Sequence, residues 1–203
     1  MPHSADSPNP RPPAAPGDRL ARRLRAMRKE RAWSLDRAAA ETGVSKAMLG
    51  QIERGESSPT VACLWKIATG FQCSLSGFLV EWEPQTSDAL FRTADSVRDR
   101  PASDDMLVAP LFPFEKRFGF EWLELTLLPG YVRQSEPHAP GVTEHLAVVQ
   151  GAMEVCLAGE WKALKAGEAV RFAGDRAHGY RNLNADKAVC HNLIHYAAPA
   201  GAA

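Results

Sequence analysis

Two groups of residues in this 203-residue chain are of types and spacings that do chemistry. The first is Ser45, Lys46, Ala47, Gly50, Gln51 and Arg54, which fall on the N-terminal end and outward side of one short helix. Their types suit the reading of base edges. Lys46 can donate to guanine O6/N7, Gln51 can make a paired contact with adenine, and Ala47 can touch a thymine methyl. Ser45, Arg54, Ser58 and Thr60 are placed to bond phosphate, Thr60 also through its helix N-terminus. The second group is His138 in PHAPG, Glu144 and His145 in VTEHLAVVQG, and His178 in GDRAHGYRN. Imidazole and carboxylate are the usual N/O ligands of Zn, Fe, Mn and Ni. On a strand beginning near Thr143, Glu144 and His145 face opposite sides, so only a bulge would bring both into one pocket.

The elements that must hold the first group are helices. Leu20, Leu24 and Met27 recur at helical spacing, with arginines at 19, 22, 23, 25 and 28 on the other faces. Ser34 caps a second helix, Leu35 to Thr42, which Gly43 stops. Ser45 caps a third, running to about Arg54 and stopped by Gly55. Thr60 caps a fourth, with Val61, Leu64, Trp65, Ile67 and Ala68 on its apolar face, and a fifth begins at Ser74. Two helices crossing around a turn need a small contact residue, a turn glycine and apolar locks. Ala39, Gly43, Leu49 and Ile52 supply these at the required offsets. Glu53 is badly placed for a phosphate backbone, and Arg28 of the first helix is its expected ion-pair partner. Trp33 and Trp65 are read as packing the helical core.

The second group needs strands. From Met106 onward the chain reads as strands: Glu121, Leu123, Leu125 and Leu127 alternate with Trp122, Glu124, Thr126 and Leu128, and further strand-like runs are His145–Gln150, Met153–Leu157, Ala169–Phe172 and Val189–Tyr196, broken by Gly and Pro. Many short strands at close spacing predict a β-sandwich or barrel. His191 and His195 share one strand face and are read as ordinary core or surface histidines. Residues 1–17 hold six prolines and, beyond Met1, no large apolar side chain, and are read as a disordered tail. The expected partition is a helical domain at 18–82, a polar linker at 83–105 and a β domain at 106–197.

Charge separates the two halves. The chain is neutral overall, with 24 Lys+Arg and 24 Asp+Glu. Between Gly17 and Gln72, however, 11 basic residues face 6 acidic ones, and from Gln85 to the end 12 face 15. The helical half is thus the one suited to a polyanion. No run reaches the roughly 20 apolar residues that span a bilayer. No secretory leader is visible. The four cysteines form no CxxC and lie far apart, which disfavours a disulfide scaffold or a zinc finger. A cytoplasmic protein is expected.

The segment VSKAMLGQIERGESSPTVACLWKIATG resembles the helix-turn-helix of the XRE family of bacterial regulators, which includes phage repressors. That resemblance covers about residues 17–80. It implies a dimer on double-stranded DNA, with two recognition helices one helical turn apart. Residues 106–197 resemble the cupin superfamily of small β-barrels. Glu144 and Gly151 keep the spacing of its first motif, and Gly167, His178 and Asn182 keep its second. Pro140 replaces the second histidine of the usual HxH pair, and Ala173 stands where proline is frequent. The resemblance implies a site of His138, Glu144 and His178, with His145 as substitute ligand, that holds a divalent metal or, without metal, hydrogen-bonds a small ligand. The implied fold is a multidomain α + β chain, a five-helix lambda-repressor-like domain followed by a cupin-like barrel. The combination resembles bacterial one-component regulators of the sulfur-utilisation type, in which the barrel senses a small-molecule effector. The rival is a metal-dependent cupin enzyme, a dioxygenase or isomerase, fused to a DNA reader.

Overall fold

Leu20, Leu24 and Met27 form one buried stripe on the first helix, α1 (Pro16–Glu30), while Arg22, Arg23 and Arg25 point to solvent. The computed structural model describes residues 16–79, 89–98 and 105–196. Most of the stretch read as a tail lies outside these residues; its last two, Pro16 and Gly17, open α1.

Capping residues set the next helices. Ser34 Oγ accepts from Arg37 N at the start of α2 (Leu35–Thr42), Ser45 Oγ from Met48 N at α3 (Lys46–Glu53), and Thr60 Oγ1 from Cys63 N at α4 (Val61–Gly70). Each satisfies an amide that the helix leaves without a partner. Gly43 ends α2 with φ +65, a left-handed conformation that glycine adopts freely, and this aims α3 across α2. Leu49 and Ile52 lock that crossing from inside. The fully buried alanine of α2 is Ala38, with Ala39 half-buried beside it and packed against the same core. Glu53 accepts both Nε and Nη2 of Arg28, at 2.6 and 2.8 Å. A short α5 (Ser76–Leu79) closes the unit.

The crossing of α2 and α4 depends on Gly70. A Cβ there would lie 2.5 Å from Glu41 O and 2.6 Å from Thr42 Cα, both backbone atoms. Gly70→Ala is expected to lose about 1–3 kcal/mol, because neither helix can yield without opening the other's core contacts. Urea denaturation of the variant measures this directly.

Nine strands follow: β1 (Met106–Glu115), β2 (Phe120–Leu127), β3 (Val132–Ser135), β4 (Thr143–Gln150), β5 (Ala152–Leu157), β6 (Glu160–Lys165), β7 (Ala169–Ala173), β8 (His178–Arg181) and β9 (Ala188–His195). They form two antiparallel sheets, β1-β2-β9-β4-β7 and β3-β8-β5-β6. Leu123, Leu125, Leu127, Leu146 and Val148 from one sheet and Met153, Val155 and Tyr180 from the other join a shared core. Alternation along β4 buries Glu144, Leu146 and Val148 and exposes His145.

The region read as linker is described at 89–98 and 105. It contains a sixth helix, α6 (Ala94–Val97). Arg98 at its end pairs with Glu124 at 2.8 Å and donates to Thr126 Oγ1 at 3.0 Å, which docks this part of the chain on β2. The polar composition that suggested a linker therefore includes an anchor. Among the described residues, no helix is long and apolar enough to cross a membrane.

The helical and β units meet at a buried carboxylate. Glu121, on β2 and fully buried among leucines, accepts from Leu75 N at 3.2 Å and from Ser76 N at 2.8 Å. Tyr196 Oη also donates to it. In return, Ser76 Oγ accepts from Phe114 N of β1 at 2.9 Å.

Candidate functional site

The outer side of α3 is open. Ser45, Lys46, Ala47, Met48, Gln51 and Arg54 are exposed, while Leu49, Gly50 and Ile52 face the core. Gly50 thus leaves the set expected at base edges. It sits under the α2–α3 contact, where an added Cβ would lie 3.8 Å from Leu35 Cδ1 and 3.1 Å from Arg54 Nη1. Met48 takes a place on the open side. Ser58 is exposed, and Thr60 is half-buried at its cap. Lys46 pairs with Asp36 at 2.8 Å and Arg54 with Glu56 at 2.7 Å. Exposed pairs of this kind contribute little and are screened by salt, so both cations can turn to a phosphate or a base at small cost.

Inside the β unit, three side chains converge. His138 Nε2 lies 2.9 Å and His178 Nε2 3.3 Å from Glu144 Oε1. One ligand atom from each residue fits within 4.8 Å of the others. The other oxygen, Oε2, accepts from Tyr180 Oη at 2.5 Å and Asn192 Nδ2 at 2.7 Å. That fixes the carboxylate, leaving Oε1 to face the two rings. Gly174 stands against it, where a Cβ would come within 3.0 Å of Oε1.

Protonation explains what the cluster lacks. His178 Nδ1 lies 2.8 Å from the Arg176 carbonyl, which can only accept, so Nδ1 carries the proton. Burial pushes the pKa of His178 down; the charge of Glu144 opposes this but does not cancel it. The neutral ring then turns the lone pair of Nε2 toward Glu144. Burial pushes the carboxyl of Glu144 up, but His138, the charge that His178 carries only at low pH and the Tyr180 hydroxyl outweigh it and hold it at about 2, so that Glu144 is already ionised when His178 loses its proton. An anionic oxygen thus faces a nitrogen lone pair, and neither buried atom has a hydrogen-bond partner among the described residues. The short His138 contact is too misaligned to count as one. A cation between these atoms resolves the repulsion, so the donor set fits a divalent metal. Bound there, the ion would supply a fixed positive charge with coordination positions left for a ligand.

His145 is not part of this set. The strand has no bulge at this point, so alternation sends its ring to solvent, and the role of substitute ligand falls away.

Sequence comparisons agree with this architecture. A helix-turn-helix family model matches residues 24–78, and a cupin domain model matches residues 123–194. The HTH-type transcriptional regulator SutR of Escherichia coli (strain K12) is 46% identical over 177 residues, 87% of this chain and 94% of its own. The chain belongs to the helix-turn-helix transcriptional regulators that carry a cupin domain. The crystal structure of an HTH_3 family transcriptional regulator from Vibrio cholerae superposes with a TM-score of 0.78 at 43% identity, covering 90% of this chain and 98% of that one. A cupin domain of an XRE family transcriptional regulator from Enterobacter cloacae is 41% identical over 47% of this chain and 100% of its own, with a TM-score of 0.46. The protein is a DNA-binding transcriptional regulator.

Three residues of the regulator's inner site were not anticipated. Tyr180 and Asn192 hold Glu144, and Trp65 reaches it from the other unit. Trp65 was read as core packing, and it is buried; yet its indole lies on His138, with ring centroids 4.7 Å apart and planes at 32°. Helix α4 and the histidine cluster are therefore in direct contact. His191 rests edge-on against Trp122, half-buried, and His195 is exposed, as ordinary histidines would be.

Proposed function

We propose that this regulator reads an operator with α3 and changes its affinity when a small molecule occupies the cupin pocket. The exposed polar side of α3 carries the first half of this reading: Ser45, Lys46, Ala47, Gln51 and Arg54 meet the major groove, and Ser58 and Thr60 meet phosphate. The second half rests on His138, Glu144 and His178, which bind the effector directly or through a divalent ion such as Zn, Fe, Mn or Ni. The stack of Trp65 on His138 supports the link between them. An effector that prefers one arrangement of the two units shifts DNA affinity by that preference. The acting form is a homodimer, since one small reader makes too few base contacts for tight specific binding. Its place of action is the cytoplasm, on the chromosome.

The test begins with mapping bound genomic fragments and measuring affinity against salt. Gln51→Ala is expected to lose about 1–3 kcal/mol on the true operator and to relax preference at one base pair, with little change on random DNA. Equal losses on both would remove Gln51 from readout. Absence of any salt-dependent binding to genomic DNA would end the proposal.

A further inference from the structure

Arg133 is the one inward-facing cation of β3, 8% exposed, and its Nε has no hydrogen-bond partner among the described residues. No carboxylate among those residues pairs with it. A buried guanidinium without an anion is costly, and such groups are normally paired. Its surroundings show where the missing charge belongs. In the β3–β8 ladder Arg133 stands directly opposite Tyr180, and Ser135 opposite His178. All four side chains are buried on the inner face. Above the guanidinium lies the indole of Trp65, 5.5 Å from ring centroid to Cζ. A small cleft, partly open to solvent, runs between α4 and this face, bordered by Trp65, Lys66, Arg133 and His138. Glu136 also borders it, but is exposed at the mouth and does not pair with Arg133.

From this geometry we infer that Arg133 anchors an anionic effector, a small organic acid whose oxyanion group takes the guanidinium fork while its body lies against Trp65 and His138. This deepens the sensor reading and rests on it. Arginine suits the task because its planar fork matches a carboxylate or other oxyanion with two parallel hydrogen bonds. A ligand held there touches α4 of the reading unit and the inner sheet at once. That placement gives occupancy a direct route to the helices that meet DNA.

The experiment is calorimetric titration of the full chain with malonate, sulfate and inorganic phosphate, and with malonamide as the uncharged control. At least one anion is expected to bind while malonamide does not, and the anion that binds identifies the headgroup. Arg133→Leu is expected to weaken that binding about 10-fold or more. Without ligand, Arg133→Leu is expected to melt no lower than the wild type, since it removes an unpaired buried charge. Binding is also expected to change tryptophan emission, and Trp65→Phe to abolish the change. No binding by any of the three anions, equal binding by malonamide, or unchanged affinity in Arg133→Leu would overturn the assignment. So would a clear fall in the melting temperature of the unliganded variant, which would make Arg133 structural. If an anion binds through Arg133 and operator affinity stays fixed, the anion site stands and the sensor reading fails. If another metabolite shifts operator affinity equally in Arg133→Leu and wild type, the sensor reading stands and this inference fails.

Discussion

Glu121→Ala is expected to lose at least about 3 kcal/mol of stability and to split one unfolding transition into two, since each of three buried donors left without a partner costs about 1–3 kcal/mol. Leu75 N, Ser76 N and Tyr196 Oη all point at this carboxyl, which is buried from the surface. The loss also releases α5 from β2, leaving Ser76 Oγ with Phe114 N as a remaining hydrogen bond across this contact. A pH series gives a second reading. Burial raises the pKa of Glu121, with the hydrogen bonds from Ser76, Tyr196 and Leu75 opposing it incompletely. The folded state therefore holds its proton to higher pH than the unfolded one. Its contribution declines as pH rises from the ordinary carboxylate range through the folded value. Glu121→Gln cannot ionise and is expected to flatten that decline. Urea denaturation of wild type and both variants measures these effects. A single transition shifted by less than about 1 kcal/mol in Glu121→Ala would show that the junction is held elsewhere.

Much of the helical half was legible because its signals are local. Ser34, Ser45 and Thr60 cap the helices they were expected to cap, and Gly43 turns the chain as its lack of a side chain permits. The Arg28–Glu53 pair was legible too, because a carboxylate beside a buried Ile52 has few places to go. Period-two alternation showed that Glu144 and His145 face opposite ways, and it selects Glu144 as the inner one once Leu146 and Val148 are seen to be core. Other features depend on partners distant in the chain. Asn192 reaches Glu144 only because β9 pairs with β4 in a register that sets Ile194 opposite Glu144, placing Asn192 on the diagonal. Glu121 looked like a polar residue in an amphipathic strand; its role appears only when α5 lies over β2. Trp65 fitted a helical core stripe, and the stripe turned out to be wide enough to face both its own bundle and His138. Arg98 carried no signal at all within a run of mixed polar residues.

The cluster around Glu144 gives the other large effect, and its sign differs with and without metal. Wild type is expected to take up a divalent ion and to melt higher when it does, because the ion binds the folded arrangement of His138, Glu144 and His178 alone. Glu144→Gln removes the charge but keeps the shape. Its carbonyl can replace Oε2 as acceptor for Tyr180 and Asn192. Its amide group can then occupy the place of Oε1 and donate to His178 Nε2, where two electron-rich atoms faced one another. The metal-free variant is therefore expected to be at least as stable as metal-free wild type. Its metal affinity is expected to fall by about 100-fold or more, since even partners outside the ligand shell are worth 10–100-fold. Melting curves with chelator and with added Zn, Mn, Ni or Fe(II), together with metal content after dialysis, separate the two effects. Equal metal uptake by variant and wild type would show that these three residues are not the ligands. A destabilised metal-free variant with normal uptake would show instead that Glu144 serves the hydrogen-bond network of Tyr180 and Asn192 and not a cation.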